Sequence, residues 1–176
     1  MIHEAIIFAA LAHEGQKRKG TDVPYIVHPF EVAQILTKAG ASESVICAGL
    51  LHDTVEDTEV TLEEIRQKFG GEVAEMVSVM TEDKSLSWEE RKQKAVENVN
   101  GEMPRQTKML ICADKLSNLR SIQRDRDQVG EEVWSRFRRG KEKQRWYYAS
   151  MIQRLTDLSD CEMYLEMKGR FKMLFE

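Results

Sequence analysis

An all-α helical bundle is the fold class this sequence predicts, and three observations predict it. Apolar residues recur at helical spacing along most of the chain, while strand-like alternation is nearly absent. Two Ser/Thr-x-x-Glu capping boxes, Thr61 to Glu64 and Ser87 to Glu90, mark helix starts. Two of the 3 prolines, Pro29 and Pro104, stand where a periodic segment begins, a position at which the missing N–H costs nothing.

The elements follow in order. Ile2, Ala5, Ile6, Ala9, Ala10 and His13 share one helical stripe, and the polar, glycine-bearing stretch from Gly15 to Pro24 breaks it into a loop. A second helix starts at Pro29 and ends at Gly40, and a third runs from about Ser42 into His52 and Asp53. Thr61 opens a helix that stops near Gly70 and Gly71, and Ser87 opens another. Pro104 starts an apolar helix carrying Met109, Leu110, Ala113, Leu116 and Leu119. From about Lys141 one or two long helices follow, with Ile152, Leu155, Leu158, Tyr164 and Leu165 as candidate inner positions.

Composition narrows the function classes. Hydrophobic residues are 41% and charged residues 32% of 176, the balance of a globular chain and not of a disordered one. With no repeat, linker or second region in view, residues 1–176 are expected to form one domain able to bury a sizeable core. Aromatics are only 7%, so aliphatic side chains and the 9 methionines should supply most of the packing. The net charge of −4, with no basic half, argues against a duplex nucleic-acid or membrane-surface binder. A small anionic substrate, held by a metal and a few local cations, stays open. No apolar run approaches the ~20 residues of a membrane span, and the N-terminus has no signal-peptide pattern. Cys47, Cys112 and Cys161 are odd in number and form no C-x-x-C pair, so no disulfide framework or thiolate zinc site is expected, and the compartment reads as a reducing cytoplasm; Cys47 and Cys112, among Ile, Ala and Leu, read as buried free thiols.

The chemistry concentrates in few residues. His3 is near a terminus and is expected to be exposed. His28 sits at a loop-to-helix junction before Pro29. His52 and Asp53 close the apolar run from Val45 to Leu51, and Asp114 interrupts the run from Met109 to Ala113. An ionised Asp at the end of a buried stripe is costly unless it is paired or ligates a metal. Two imidazoles and two carboxylates form an N/O set suited to Mn²⁺, Fe²⁺ or Zn²⁺ with open positions. Taken singly, each residue has a plainer role: a helix-start His as a cap or core residue, a His-Asp pair by chance, Asp114 in an ion pair with Arg. The combination favours the metal. Glu56 and Asp57 follow Asp53 by three and four positions, on the same face if the helix continues. Two carboxylates beside a divalent ion can orient a water and accept its proton; the plainer alternative is an exposed acidic helix end.

These segments resemble a known family. His28-Pro29, His52 through Thr58 and Ala113 through Arg120 look like the motifs of RelA/SpoT-type alarmone hydrolase domains, as do Ala12 through Gly20 and Pro24-Tyr25-Ile26. Thr81 through Leu86 is similar to a motif of the stand-alone small alarmone hydrolases. The resemblance spans residues 9–122 in order and spacing. It implies a helical HD fold with one Mn²⁺ held by His28, His52, Asp53 and Asp114, and water activation by Glu56 and Asp57. It further implies substrate contacts from Arg18, Lys19, Lys84 and Asn118, and hydrolysis of ppGpp or pppGpp to GDP or GTP and pyrophosphate. A small nucleotide is the expected partner, not a nucleic acid or a membrane. Longer members continue into a synthetase domain for which this chain has no room. Trp134 to Tyr148 falls where the family places a nucleobase wall, with Arg138, Trp146, Tyr147 and Tyr148 as candidates and core packing as the competing role for most of them. Relatives in animals remove the 2′-phosphate of NADPH, so another nucleotide is the first alternative. A silent alarmone-binding module and a helical adaptor are the others.

Overall fold

The structure is a computed structural model and describes residues 1–176. It is entirely helical apart from loops and one isolated bridge between Lys17 and Pro24, which closes the glycine-bearing loop.

The third helix, α3 (Glu43–Leu51), lies at the centre: every residue from Val45 to Leu51 is buried. Around it pack α1 (Ile2–Ala12), α2 (Val27–Lys38), α6 (Gly71–Met80) and α8 (Arg105–Val129). The small residues Ala5 and Ala9 bring α1 onto it, while Ala10 faces solvent. The crossing with α2 is tighter still. A Cβ on Gly49 would stand 2.7 Å from Leu36 Cδ1 and 3.2 Å from Val32 Cγ1, so glycine is what admits this approach.

α3 ends at Leu51, and the chain does not run straight on as one helix. His52 is its C-cap, Asp53 begins a separate single turn, α4 (Thr54–Asp57), and Thr54 Oγ1 donates to Leu51 O at 2.7 Å across the break. Both expected capping boxes form, at α5 (Leu62–Phe69) and α7 (Trp88–Asn98), each with reciprocal bonds between the cap and its glutamate. A further helix, α6, starts with no side-chain cap to mark it in the sequence. Gly70, at φ 92°, ends α5 and lets α6 start at once, and Val73, Ala74, Met76 and Val77 form its buried stripe.

α8 is flanked on its other side by α10 (Glu162–Phe175) and followed by a 3-10 segment (Gly130–Arg136) and α9 (Gly140–Arg154). Leu155, Leu158 and Tyr164 are buried as the spacing indicates. Leu165 is not: it is 55% exposed, because the buried stripe of α10 runs through Met163, Met167, Phe171 and Leu174. All 41 buried apolar residues form one contiguous core, in which each fully buried leucine contributes about 1.5–3 kcal/mol relative to exposure. Burial pushes the thiol of Cys47 up to about 11 and that of Cys112 up to about 12, so both stay protonated packing groups. No helix is long and apolar enough to cross a membrane.

Candidate metal centre

Three separate elements converge beside the α2–α3 crossing. His28 lies in the first turn of α2, His52 and Asp53 occupy the break between α3 and α4, and Asp114 projects from the buried face of α8. The imidazole nitrogens His28 Nε2 and His52 Nε2 are 3.2 Å apart. Asp114 Oδ1 is 3.2 Å from the first and 3.8 Å from the second. Asp53 Oδ2 is 3.6 Å and 3.1 Å from the same two atoms. Donor atoms of His28, His52 and Asp114 all lie within 4.8 Å of one another, and Asp53 reaches the cluster through its contacts with both rings.

The outer hydrogen bonds decide which atoms face inward. His52 Nδ1 lies 2.9 Å from Gly49 O, a pure acceptor, so Nδ1 carries the proton and Nε2 a lone pair. His28 Nδ1 lies 2.9 Å from Ser117 Oγ, whose own hydroxyl donates to Glu31 Oε2 at 2.7 Å. That leaves Ser117 to accept, and His28 Nε2 is also a lone pair. Two lone pairs facing each other at this distance, flanked by two carboxylate oxygens, repel unless a cation stands among them. The donor set therefore fits a divalent ion.

The electrostatics say the same. Burial opposes charge on His52, yet Asp53 and Asp114 prevail and push its pKa up to about 9. Burial holds His28 below its ordinary value, with the neighbouring His52 adding to the effect. Burial would raise both aspartates, but His52 and His28 hold Asp53 below the usual carboxylate range, and Lys115 and His28 hold Asp114 well below it. A site that attracts one proton so strongly attracts a divalent cation in its place, with proton release.

Second contacts orient the carboxylates. Tyr25 Oη donates to Asp53 Oδ2 at 2.7 Å; burial and Asp53 raise its pKa, so it remains a donor. Lys115 Nζ holds Asp114 Oδ2 at 2.6 Å, and Asn118 Nδ2 holds Oδ1 at 2.7 Å. Tyr25, Lys115, Ser117 and Glu31 were not singled out from sequence. Spacing is the signal that was available: Ser117 and Asn118 lie three and four positions after Asp114, and Glu31 three after His28.

The acidic pair sits on α4. Asp57 N–H donates to Asp53 O at 2.9 Å, so the separate turn still stacks Asp57 over Asp53. Glu56 is half-buried, and its Oε2 accepts the Glu82 N–H at 2.9 Å. Burial raises the Glu56 pKa, and that backbone bond only partly offsets it. Lys84 lies against this pair and not apart from it: Nζ is 2.7 Å from Asp57 Oδ1 and 2.6 Å from Glu56 O.

Arg18 Nη2 donates to Asn118 Oδ1 at 2.9 Å, and its guanidinium lies 5.4 Å from the Tyr25 ring centre. It forms part of the wall of two cavities. One, of about 450 Å³, is lined by Gln34, Ser121 and Arg124 and touches His28 on the side of Ser117 and Glu31; the other, of about 170 Å³, includes Lys19, Asn118, Arg136 and Tyr148. Among the C-terminal candidates, Tyr147 and Tyr148 are buried core residues, though Tyr148 also reaches the smaller cavity. Trp146 is 39% exposed and lies 6.4 Å from Trp88, and Arg138 is exposed.

A helical bundle that gathers a His-Asp pair, a second histidine and a second aspartate around one point has the architecture of the HD proteins. The chain belongs to the HD-domain family, whose model matches residues 5–142. It is 45% identical over 138 residues to human guanosine-3′,5′-bis(diphosphate) 3′-pyrophosphohydrolase MESH1, covering 77% of this chain and 74% of that protein. It is 37% identical to a GTP pyrophosphokinase of Myxococcus xanthus, covering 77% of this chain but 18% of that much longer protein. A crystal structure from Listeria monocytogenes superposes with a TM-score of 0.79 at 43% identity, covering 84% of this chain and 98% of that one. The structure of a metazoan ortholog of SpoT that hydrolyzes ppGpp matches with a TM-score of 0.78 at 29% identity, over 98% and 94% of the two chains.

Proposed function

We propose that this chain is a metal-dependent 3′-pyrophosphohydrolase that converts ppGpp and pppGpp to GDP or GTP and pyrophosphate, with Mn²⁺ as its ion and residues 1–176 acting as one unit. The observation that carries the reading is the convergence of His28, His52, Asp53 and Asp114 beside the Glu56–Asp57 turn. Similarity to the human pyrophosphohydrolase supports the choice of nucleotide.

His28 and His52 would hold the ion through Nε2, Asp114 through Oδ1 and Asp53 through Oδ2. When bound, that ion supplies Lewis acidity, making a water more acidic and neutralising charge on a phosphoryl oxygen. The protein does the rest. Glu56 and Asp57 orient the attacking water and take its proton, and burial brings Glu56 closer in basicity to neutral pH, which suits a general base. Tyr25, Lys115 and Asn118 stop the two aspartates from turning away. Arg18 offers a planar fork to phosphate or a flat face to a base, and Lys19 and Lys84 offer point charges. Free thiols at Cys47, Cys112 and Cys161 accord with a reducing cytoplasm.

Incubation with ppGpp and Mn²⁺, with and without chelator, tests the reading. Pyrophosphate release that stops on chelation is expected. Orthophosphate release, or turnover of NADPH but not ppGpp, would move the activity to another nucleotide. No turnover of any nucleotide with metal bound would leave a binding module.

A further inference from the structure

We infer that Ser117 and Glu31 are positioning residues: together they lock His28 in the tautomer that turns a bare Nε2 toward the metal centre. The inference rests on the reading of His28 as a ligand and deepens it.

The two imidazoles are oriented by different means. His52 Nδ1 is satisfied by the backbone carbonyl of Gly49, which no side-chain substitution removes. His28 Nδ1 has only a hydroxyl, Ser117 Oγ, and a hydroxyl can donate or accept. A donating serine would strip Nδ1 of its proton and move that proton to Nε2, where it would face the cluster and block a cation. Glu31 removes the ambiguity. Its carboxylate only accepts, and it lies 2.7 Å from Ser117 Oγ, so the single hydroxyl proton is committed away from the ring.

Glu31 is in turn pinned as a carboxylate. Arg124 donates to it twice, Nη1 at 3.1 Å to Oε1 and Nη2 at 3.2 Å to Oε2, and Arg120 Nη1 approaches Oε1 at 3.4 Å. Arg120 is itself held by Glu166 of α10 at 2.9 and 2.7 Å. The relay therefore runs Arg124 and Arg120, Glu31, Ser117, His28, and links Glu166 of α10 to His28 through three intervening side chains. Outer partners of metal-bound histidines typically alter metal affinity 10- to 100-fold.

The substitution Glu31→Gln should invert the relay. With its carbonyl at the Oε1 position, where Arg120 Nη1 and Arg124 Nη1 donate, the amide sets its NH₂ against Ser117, whose hydroxyl proton is then free to turn to His28. Ser117→Ala removes the link itself. The test is Mn²⁺ affinity of the purified chain with no nucleotide present, by competition with a chromophoric chelator, with circular dichroism as the fold control. E31Q and S117A should each weaken Mn²⁺ roughly 10- to 100-fold, and the double variant should be no worse than S117A, because the two act in series. If S117A fails to fold, E31Q, on a side chain 16% exposed, decides alone. Wild-type affinity in folded E31Q, or losses that multiply in the double variant, overturn the relay while leaving the metal centre standing. Absence of Mn²⁺ binding by the wild-type chain overturns the metal centre and the relay with it.

Discussion

The crossing of α2, α3 and α8 and the C-terminal third are built on opposite principles. At the crossing, a few directional bonds decide everything: each side chain of the cluster is oriented by outer partners, such as Gly49 O for His52 or Lys115 and Asn118 for Asp114. In the C-terminal third, Trp134, Tyr147, Tyr148, Tyr164, Phe171 and Phe175 fill volume, with ring centres 5.0–6.1 Å apart in Trp134–Phe175, Tyr148–Phe175 and Phe171–Phe175. A polar centre fails all at once when one donor turns away; a packed region loses stability in proportion to what is removed.

That contrast is open to breaking. The largest effect expected is from His52→Ala, which removes a buried imidazole of the proposed metal centre and with it both Mn²⁺ binding and turnover, read by metal analysis and pyrophosphate release; a variant that keeps turnover would end the contrast. Next comes the double change Glu56→Gln, Asp57→Asn. It should lower kcat by ~10²–10⁴ while Mn²⁺ stays bound, as expected when a general base is lost.

The same pair sharpens the pH behaviour. In its proposed role as base Glu56 acts only when ionised, and its pKa is raised above the ordinary 4.5 by burial. Activity should therefore fall as pH drops through a value above 4.5, and this acid limb should move or vanish in Glu56→Gln. A limb unchanged in that variant would assign it to another group.

In the packed region, Leu158→Ala should cost about 2–5 kcal/mol in chemical denaturation, with Mn²⁺ affinity of the folded protein unchanged. Smaller again, Gly49→Ala should cost about 1–3 kcal/mol through the clash with Leu36. Because it presses on the crossing itself, Gly49→Ala should also weaken metal binding; a pure stability loss would show the crossing to be more compliant than its spacing indicates.

The same difference explains what could be read in advance. Asp53 and Asp114 stand out in sequence because each interrupts a buried apolar run, and a carboxylate there demands an explanation. The capping boxes at Thr61 and Ser87 are local and were equally legible. The pairing of Ser117 with Glu31 was not, since 86 residues separate them and only the fold joins them. Lys84 was placed among substrate contacts by resemblance, yet its nearest partners are Asp57 and Glu56, a pairing that depends on how the loop before α7 folds over α4. The helix α6 was missed because Gly70 and Gly71 read as an ending, while the stripe from Val73 to Val77 was present to be counted. Leu165, a candidate inner position, lies outside because the buried stripe of α10 runs through Met163 and Met167.

A crystal structure grown with Mn²⁺, with the ion located by its anomalous signal, tests the central claim most directly. The account predicts one ion per chain, bonded to Nε2 of His28 and of His52 and to oxygens of Asp53 and Asp114, with Nδ1 of His28 still on Ser117. An ion bound elsewhere, or either imidazole turned so that Nδ1 faces the centre, would contradict it.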